Sequence, residues 1–289
     1  MKLFMKTGLL SLVLSIVGIF VASPTASAAT SPTLSALTGY SVLGGSAVTC
    51  TGLTTTTGSV GVSPGTSITG FPSPCTAGGG THSNDASAIA AQAEALATFG
   101  TLAQPCDFSY GAQDLTLISP LVPGVYCSSS SFSLSGNLTL SSSTGVYIFR
   151  TVTTLIASPG SSVTGGDPCN VWWRVGSSTT LDTTSSFIGT LISQNGINAI
   201  NTNGTLNGRF ISLSAGTVTL DANVITGPIC TTPAPTTTGG GETTTPGLPN
   251  TGLSPQQQST PWWGVPVVML TSSASIYLIQ KKIKTTSER

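Results

Sequence analysis

The chain has 289 residues, of which only 6% are charged, with nine Lys+Arg balancing nine Asp+Glu. Six of the basic residues sit at the ends (Lys2, Lys6, Lys281, Lys282, Lys284 and Arg289), leaving Arg150, Arg174 and Arg209 against eight acids over residues 29–280. A broad basic face of the kind that tracks a nucleic-acid backbone is thereby excluded, and 39% hydrophobic residues spread along the chain exclude wholesale disorder.

In chain order, residues 1–28 read as a secretory signal peptide. Lys2 and Lys6 form a basic start, residues 9–21 an apolar stretch, and Ala26, Ser27 and Ala28 a small-residue cleavage site. The body, residues 29–230, is repetitive. The nonapeptide VSPGTSITG at residues 62–70 recurs at residues 157–165 as ASPGSSVTG. Short β-branched runs ending in Gly189, Gly208 and Gly227 follow one another 19 residues apart. Trp172, Leu191 and Phe210 keep the same spacing, as do Leu181 and Ile200, with Leu220 one residue late. Such a period predicts one coil of a β-solenoid per repeat, each too thin to bury anything alone. Glycine at the recurring corner permits a backbone turn that other residues resist.

One segment breaks this pattern. Over residues 83–104, Ala86, Ile89, Ala93, Leu96 and Ala103 fall near helical spacing. The expectation is one long helix along the solenoid, capped by Ser83 or Asn84, stopped near Pro105, and burying Ile89, Ala93 and Leu96. The six cysteines (Cys50, Cys75, Cys106, Cys127, Cys169 and Cys230) are even in number and contain no C-x-x-C pair, so disulfides are expected rather than a metal site. Six cysteines allow 15 connectivities; sequential pairing is the expectation. With one histidine and scattered carboxylates, neither a metal nor a cofactor nor a catalytic constellation is expected.

Beyond Cys230, residues 231–261 form a Thr/Pro/Gly-rich stalk that contains Leu248, Pro249, Asn250, Thr251 and Gly252. Residues 262–280 are mostly apolar; 18 of them in a helix would span roughly 27 Å, enough for a bilayer core. Residues 281–289 are basic, as expected of a cytoplasmic tail. Pentapeptide, apolar run and lysines together resemble the sorting signal of Gram-positive surface proteins. That resemblance implies that a sortase cleaves the Thr251–Gly252 bond and joins the chain to cell-wall peptidoglycan, the apolar run sitting in the membrane beforehand. The expected localisation is secreted and cell-surface.

A second resemblance covers most of the body. Residues 61–72 (GVSPGTSITGFP), 88–97, 123–127 (PGVYC), 146–149 (VYIF), 169–178 (CNVWWRVGSS) and 207–209 (NGR) are similar, in order, to segments of the bacterial and fungal ice-binding protein family of the DUF3494 type. The resemblance implies a mainly β fold: a right-handed, discontinuous β-solenoid with one long α-helix packed alongside. It also implies a partner, ice or ordered water, bound by outward hydroxyls. Threonine suits such a surface because branching restricts χ1 and each side chain offers one methyl and one hydroxyl. Aligning the corner glycines selects Thr183, Ser186, Thr202 and Thr205, with Thr179 and Thr217 as lesser candidates. A monomer is expected. The alternative is a surface adhesin that uses the same scaffold for another polymer or a host surface.

Asp182 and Asp221, beside coil corners, are expected to accept turn N–H groups, and His82 to serve as a surface or capping residue. Trp172 and Trp173 are adjacent in a strand, so one is expected inward and one outward. Arg150, Arg174 and Arg209 are expected to pair with aspartates, while a cluster of Asp107, Asp114 and Asp167 would be the mark of an enzyme.

Overall fold

A computed structural model describes residues 28–227 and 230. Residues 1–27 of the expected signal peptide, the stalk at 231–261, the apolar segment at 262–280 and the tail at 281–289 lie outside the described residues. Among those described, no helix is long and apolar enough to cross a membrane.

The short β-branched runs form parallel strands that stack coil on coil, and every strand pair is parallel. Three faces result. The first is built from Phe108–Tyr110, Gly124–Ser128, Tyr147–Thr151, Val171–Val175, the second halves of Ser186–Ser193 and Thr205–Ser212, then Tyr40–Gly44, Ser59–Val62 and Thr81–Ser83. The second is a separate sheet of eight strands: Gln113–Asp114, Phe132–Leu134, Leu155–Ala157, Thr179–Leu181, Ile197–Ile200, Thr217–Asp221, Ala47–Thr51 and Ser67–Thr69. The third contains Asn137–Leu140, Ser162–Gly165, the first halves of Ser186–Ser193 and Thr205–Ser212, Val224–Thr226, Thr55–Thr56 and Thr76–Ala77.

The solenoid is discontinuous, as the resemblance implies. Tyr40–Gly44, early in the chain, pairs with Thr205–Ser212, near its end: Val42 lies beside Phe210 and Leu43 beside Ile211. The chain therefore starts inside the stack, builds one end, crosses to the other, and climbs back to meet its own beginning. The crossing is made by helix α1, Ala86–Thr101. Its 16 residues span about 24 Å, while the eight strand steps between Thr81–Ser83 and Phe108–Tyr110 amount to roughly 38 Å. The residues after the helix cover the remainder.

The core runs down the inside of the coils. Phe108, Tyr126, Phe149, Trp173 and Phe187 form an aromatic ladder, with Phe149 and Trp173 stacked 4.2 Å apart. Leu181, Ile200 and Leu220 share one register column, as their spacing predicts. The Trp172 spacing is off by one: Trp173, not Trp172, pairs with Leu191 and thence Phe210. Trp172 does point away from the core, but α1 and the N-terminal segment cover it, and its Nε1 donates to Ser31 Oγ at 2.7 Å.

The helix buries a different stripe from the one expected. Ala88, Ala91, Ala95, Thr98 and Phe99 face the sheet, against Val125, Ile148, Trp172, Ile192 and Ile211. Ile89 and Leu96 are 51% and 58% exposed, and Ala93 is exposed as well. Alanines bring the helix axis close to the strands, which leaves no room there for the longer side chains. The cap is Asp85 rather than Ser83 or Asn84: its Oδ1 accepts from the Ala88 N–H at 2.9 Å, and its Oδ2 lies 2.8 Å from His82 Nδ1. Those hydrogen bonds hold the Asp85 carboxyl below the usual carboxylate range. Three disulfides join Cys50 to Cys75, Cys106 to Cys127, and Cys169 to Cys230.

Candidate functional site

Alpha-helix α1 covers the first face, so two faces remain open. On the second face the pleat turns alternate residues inward. Val48, Val218, Ile200, Leu181 and Leu155 go into the core. Their neighbours form an outward rank in continuous register: Thr69, Thr49, Thr219, Ala199, Thr180, Ile156, Ser133 and Asp114. A parallel rank two residues away holds Ser67, Ala47, Thr217 and Ile197. Neighbours along a rank are ~4.8 Å apart and ranks roughly 6–7 Å apart. Neither rank contains a lysine or arginine.

The third face is narrower. Its outward rank is Thr76, Thr55, Val224, Thr205, Ser186, Ser162 and Asn137. Beside it, Thr226, Asn207 and Ile188 form a short second rank before the strands bend at Gly189 and Gly208.

The six candidates are thus distributed over three places. Ser186 and Thr205 are register neighbours, both exposed, on the third face. Thr217 lies on the second face. Thr183 and Thr202 occupy the corner between the two. The Thr183 N–H donates to Asp182 Oδ1 at 2.7 Å, and Thr202 Oγ1 donates to Asp221 Oδ2 at 2.5 Å. Asp182 also accepts from Asn201 Nδ2 at 3.1 Å. The Thr183 N–H and this amide hold its carboxyl low, which is the turn role expected of it. Thr179 is turned inward and fully buried, with its Oγ1 2.7 Å from Ser193 Oγ and its N–H donating to Asn198 Oδ1. It offers nothing to an outside ligand, because Leu181 two residues on is in the core and the pleat puts both on one side. Thr180, Thr219, Thr49 and Thr69 were not among the candidates, yet the alternation around Leu181 and Leu220 would have found the first two.

The remaining expectations resolve locally. Asp114 accepts from the Thr116 N–H and Asp167 from the Cys169 N–H, each within its own turn, while Asp107 accepts from the Val125 N–H of the neighbouring coil. Among the described residues no cluster of His, Cys, Asp and Glu could hold a metal ion. The arginines reach backbone carbonyls: Arg150 to Gln104, Arg174 to Phe99, and Arg209 to Leu37 and Thr38. Burial lowers all three guanidinium pKa values.

A helix-braced solenoid with open, in-register ranks of short side chains, uncharged except for Asp114 at one end, defines a protein whose broad surfaces, rather than a cleft, are its distinguishing feature. The Ice-binding-like family model matches residues 42–226, and the chain belongs to that family. An ice-binding protein of Nostoc sp. (strain HG1) is 34% identical over 232 residues, covering 77% of this chain and 84% of that protein. Among solved structures, an ice-binding protein from an Antarctic biological consortium superposes with a TM-score of 0.63 at 33% identity, covering 69% of this chain and 92% of that one. The ice-binding protein of the Antarctic ascomycete Antarctomyces psychrotrophicus gives 0.59 at 33% identity, covering 68% and 98%.

Proposed function

We propose that this protein adsorbs to ice through the outer ranks of its second face. The observation that carries this reading is the unbroken register from Thr69 to Asp114 across eight strands. Methyl groups order the water above them and hydroxyls anchor it. A stiff lattice of both, free of long charged chains, can hold that layer until it merges with a growing crystal. Thr183 and Thr202 then form the margin of the contact, and Ser186 and Thr205 extend it onto the third face. Membership in the family and the named relatives support the reading; nothing in those likenesses favours the adhesin expectation.

Slow freezing with the full chain should give faceted crystals and thermal hysteresis. Thr219→Tyr, in the middle of the rank, should lower the hysteresis by at least about half, since a ring there lifts the neighbouring hydroxyls from the crystal plane. Thr205→Tyr should have the smaller effect. Round crystals from the unaltered protein would overturn the function; a larger loss from Thr205→Tyr would move the contact to the third face.

We also infer that the chain is secreted and held on the cell wall through Leu248, Pro249, Asn250, Thr251 and Gly252, with residues 262–280 as a temporary membrane stop. The sequence order of pentapeptide, apolar run and lysines supports this. Wall digests analysed by mass spectrometry should yield a chain ending at Thr251 and joined to a peptidoglycan amine. Recovery from membranes of a chain intact to Arg289 would refute it.

A further inference from the structure

Three arginines are the whole cationic complement of residues 29–280, and two of them meet in one groove. Arg150 and Arg174 are register partners on adjacent strands of the first face. Both line a cavity of about 270 Å³ beside the Cys106–Cys127 disulfide, together with Ser109, Tyr110 and Ser129. No carboxylate lines it, and among the described residues neither guanidinium has a carboxylate at ion-pair distance.

The helix end does not account for this charge. Arg174 Nε donates to Phe99 O at 2.9 Å, and Arg150 Nη1 donates to Gln104 O. These carbonyls, at and just beyond the C-terminus of α1, carry a partial charge of about half an electron. Two full positive charges face it, so a net positive charge remains in the groove. A guanidinium has five N–H donors; Phe99 takes Nε of Arg174 through its carbonyl and covers one face of the group with its ring, 4.0 Å from Cζ to the ring centroid, which leaves the in-plane N–H groups of the terminal nitrogens to meet an anion. Each arginine is partly desolvated, and Arg174 is further lowered by its neighbour, the expected state of a like-charge pair that lacks a counterion.

We propose that this groove binds a phosphate-type oxyanion, either free phosphate or the phosphate of an ester carried on a larger molecule. Two adjacent guanidiniums match a divalent anion better than a carboxylate, and planar N–H forks suit its oxygens. The Ser109 hydroxyl, in register with Cys127, Arg150 and Arg174 on the same side of the sheet, supplies a further donor at the rim. This site lies on the helix-covered face, so it is independent of the ice reading.

Calorimetric titration of the full chain with inorganic phosphate and with glycerol 1-phosphate, at ionic strength fixed by sodium chloride, tests it. One saturable site is expected for inorganic phosphate. Arg174→Gln should weaken binding by about tenfold or more, and Arg174→Lys by less, because the charge is kept and the fork lost. Comparable binding of glycerol 1-phosphate would point to an ester-borne source, and its absence to free phosphate; either outcome supports the site. No saturable heat with either probe, or unaltered binding to a folded Arg174→Gln, would overturn it. Should that variant not fold, the titration of the unaltered chain still decides.

Discussion

The corners of the coils show how single residues set the geometry. Thr184, Asn203 and Ala222, each 19 positions from the next, have φ of 56°, 60° and 51°. Gly160, whose N–H donates to Thr183 O in the neighbouring coil, has φ of 71°. Glycine and asparagine tolerate this left-handed region; a β-branched threonine does not, at a cost of roughly 1–2 kcal/mol. A different demand acts at the bend between the third and first faces. Gly189 has φ of 101°, whereas Gly208 is required for space: a Cβ there would lie 1.8 Å from the Gly189 carbonyl oxygen. Two substitutions of similar size should therefore act in opposite directions. Thr184→Gly should raise the unfolding free energy by about 1 kcal/mol, and Gly208→Ala should lower it by about 1–3 kcal/mol or more. Urea denaturation monitored by tryptophan fluorescence measures both. A stabilising Gly208→Ala would mean that the coils can separate at this corner.

At the level of elements, the β-solenoid was legible because its period is written in glycines and inward leucines that recur once per coil. Parity and the expected secreted context made disulfides legible, but not their connectivity; the sequential pairing, one of 15, matches the three bridges without having been derivable from spacing. What failed was phase within an element. In α1 two alanine-bearing stripes satisfy helical spacing, and composition favours the wrong one: Ile89 and Leu96 are the larger hydrophobes. Close helix–sheet approach selects the stripe of small residues instead. On the second face the same error of phase put Thr179 outside. With Leu181 assigned to the core, a period of two already sends Thr179 inward and Thr180 outward. The partners of the arginines were not legible at all. They are the carbonyl groups at the helix end and in the N-terminal segment, supplied by residues 46 or more positions away, and no local pattern announces a backbone acceptor.

On the scale of the whole molecule, the chain closes on itself twice. Tyr40–Gly44 is inserted against Thr205–Ser212, and Cys230, after the last strand, is bonded to Cys169 at the edge of Val171–Val175. Ser31 Oγ also donates to Cys169 O at 3.1 Å, so the N-terminal segment is fastened at the same point. Without that bond, Val224–Thr226 would be held to the stack by short parallel pairings with Thr205–Ser212 and Thr55–Thr56 and by the buried Ile225. The Cys169–Cys230 bridge spans 61 residues in sequence, against 25 and 21 for the other two. Loop-closure entropy makes its effect on the unfolded chain larger by about 1 kcal/mol, for a total near 4 kcal/mol. Replacing Cys169 and Cys230 together by alanine should therefore cost more stability than either of the other double replacements. It should also lower the force at which the protein yields when pulled from its C-terminus, because load then peels the last strand instead of passing to the middle of the stack. Denaturation midpoints of the three double variants, and force spectroscopy on this one, measure the two effects. Equal losses for all three would show that the bridges act locally, and that the discontinuous stack holds its chain end without a fastening.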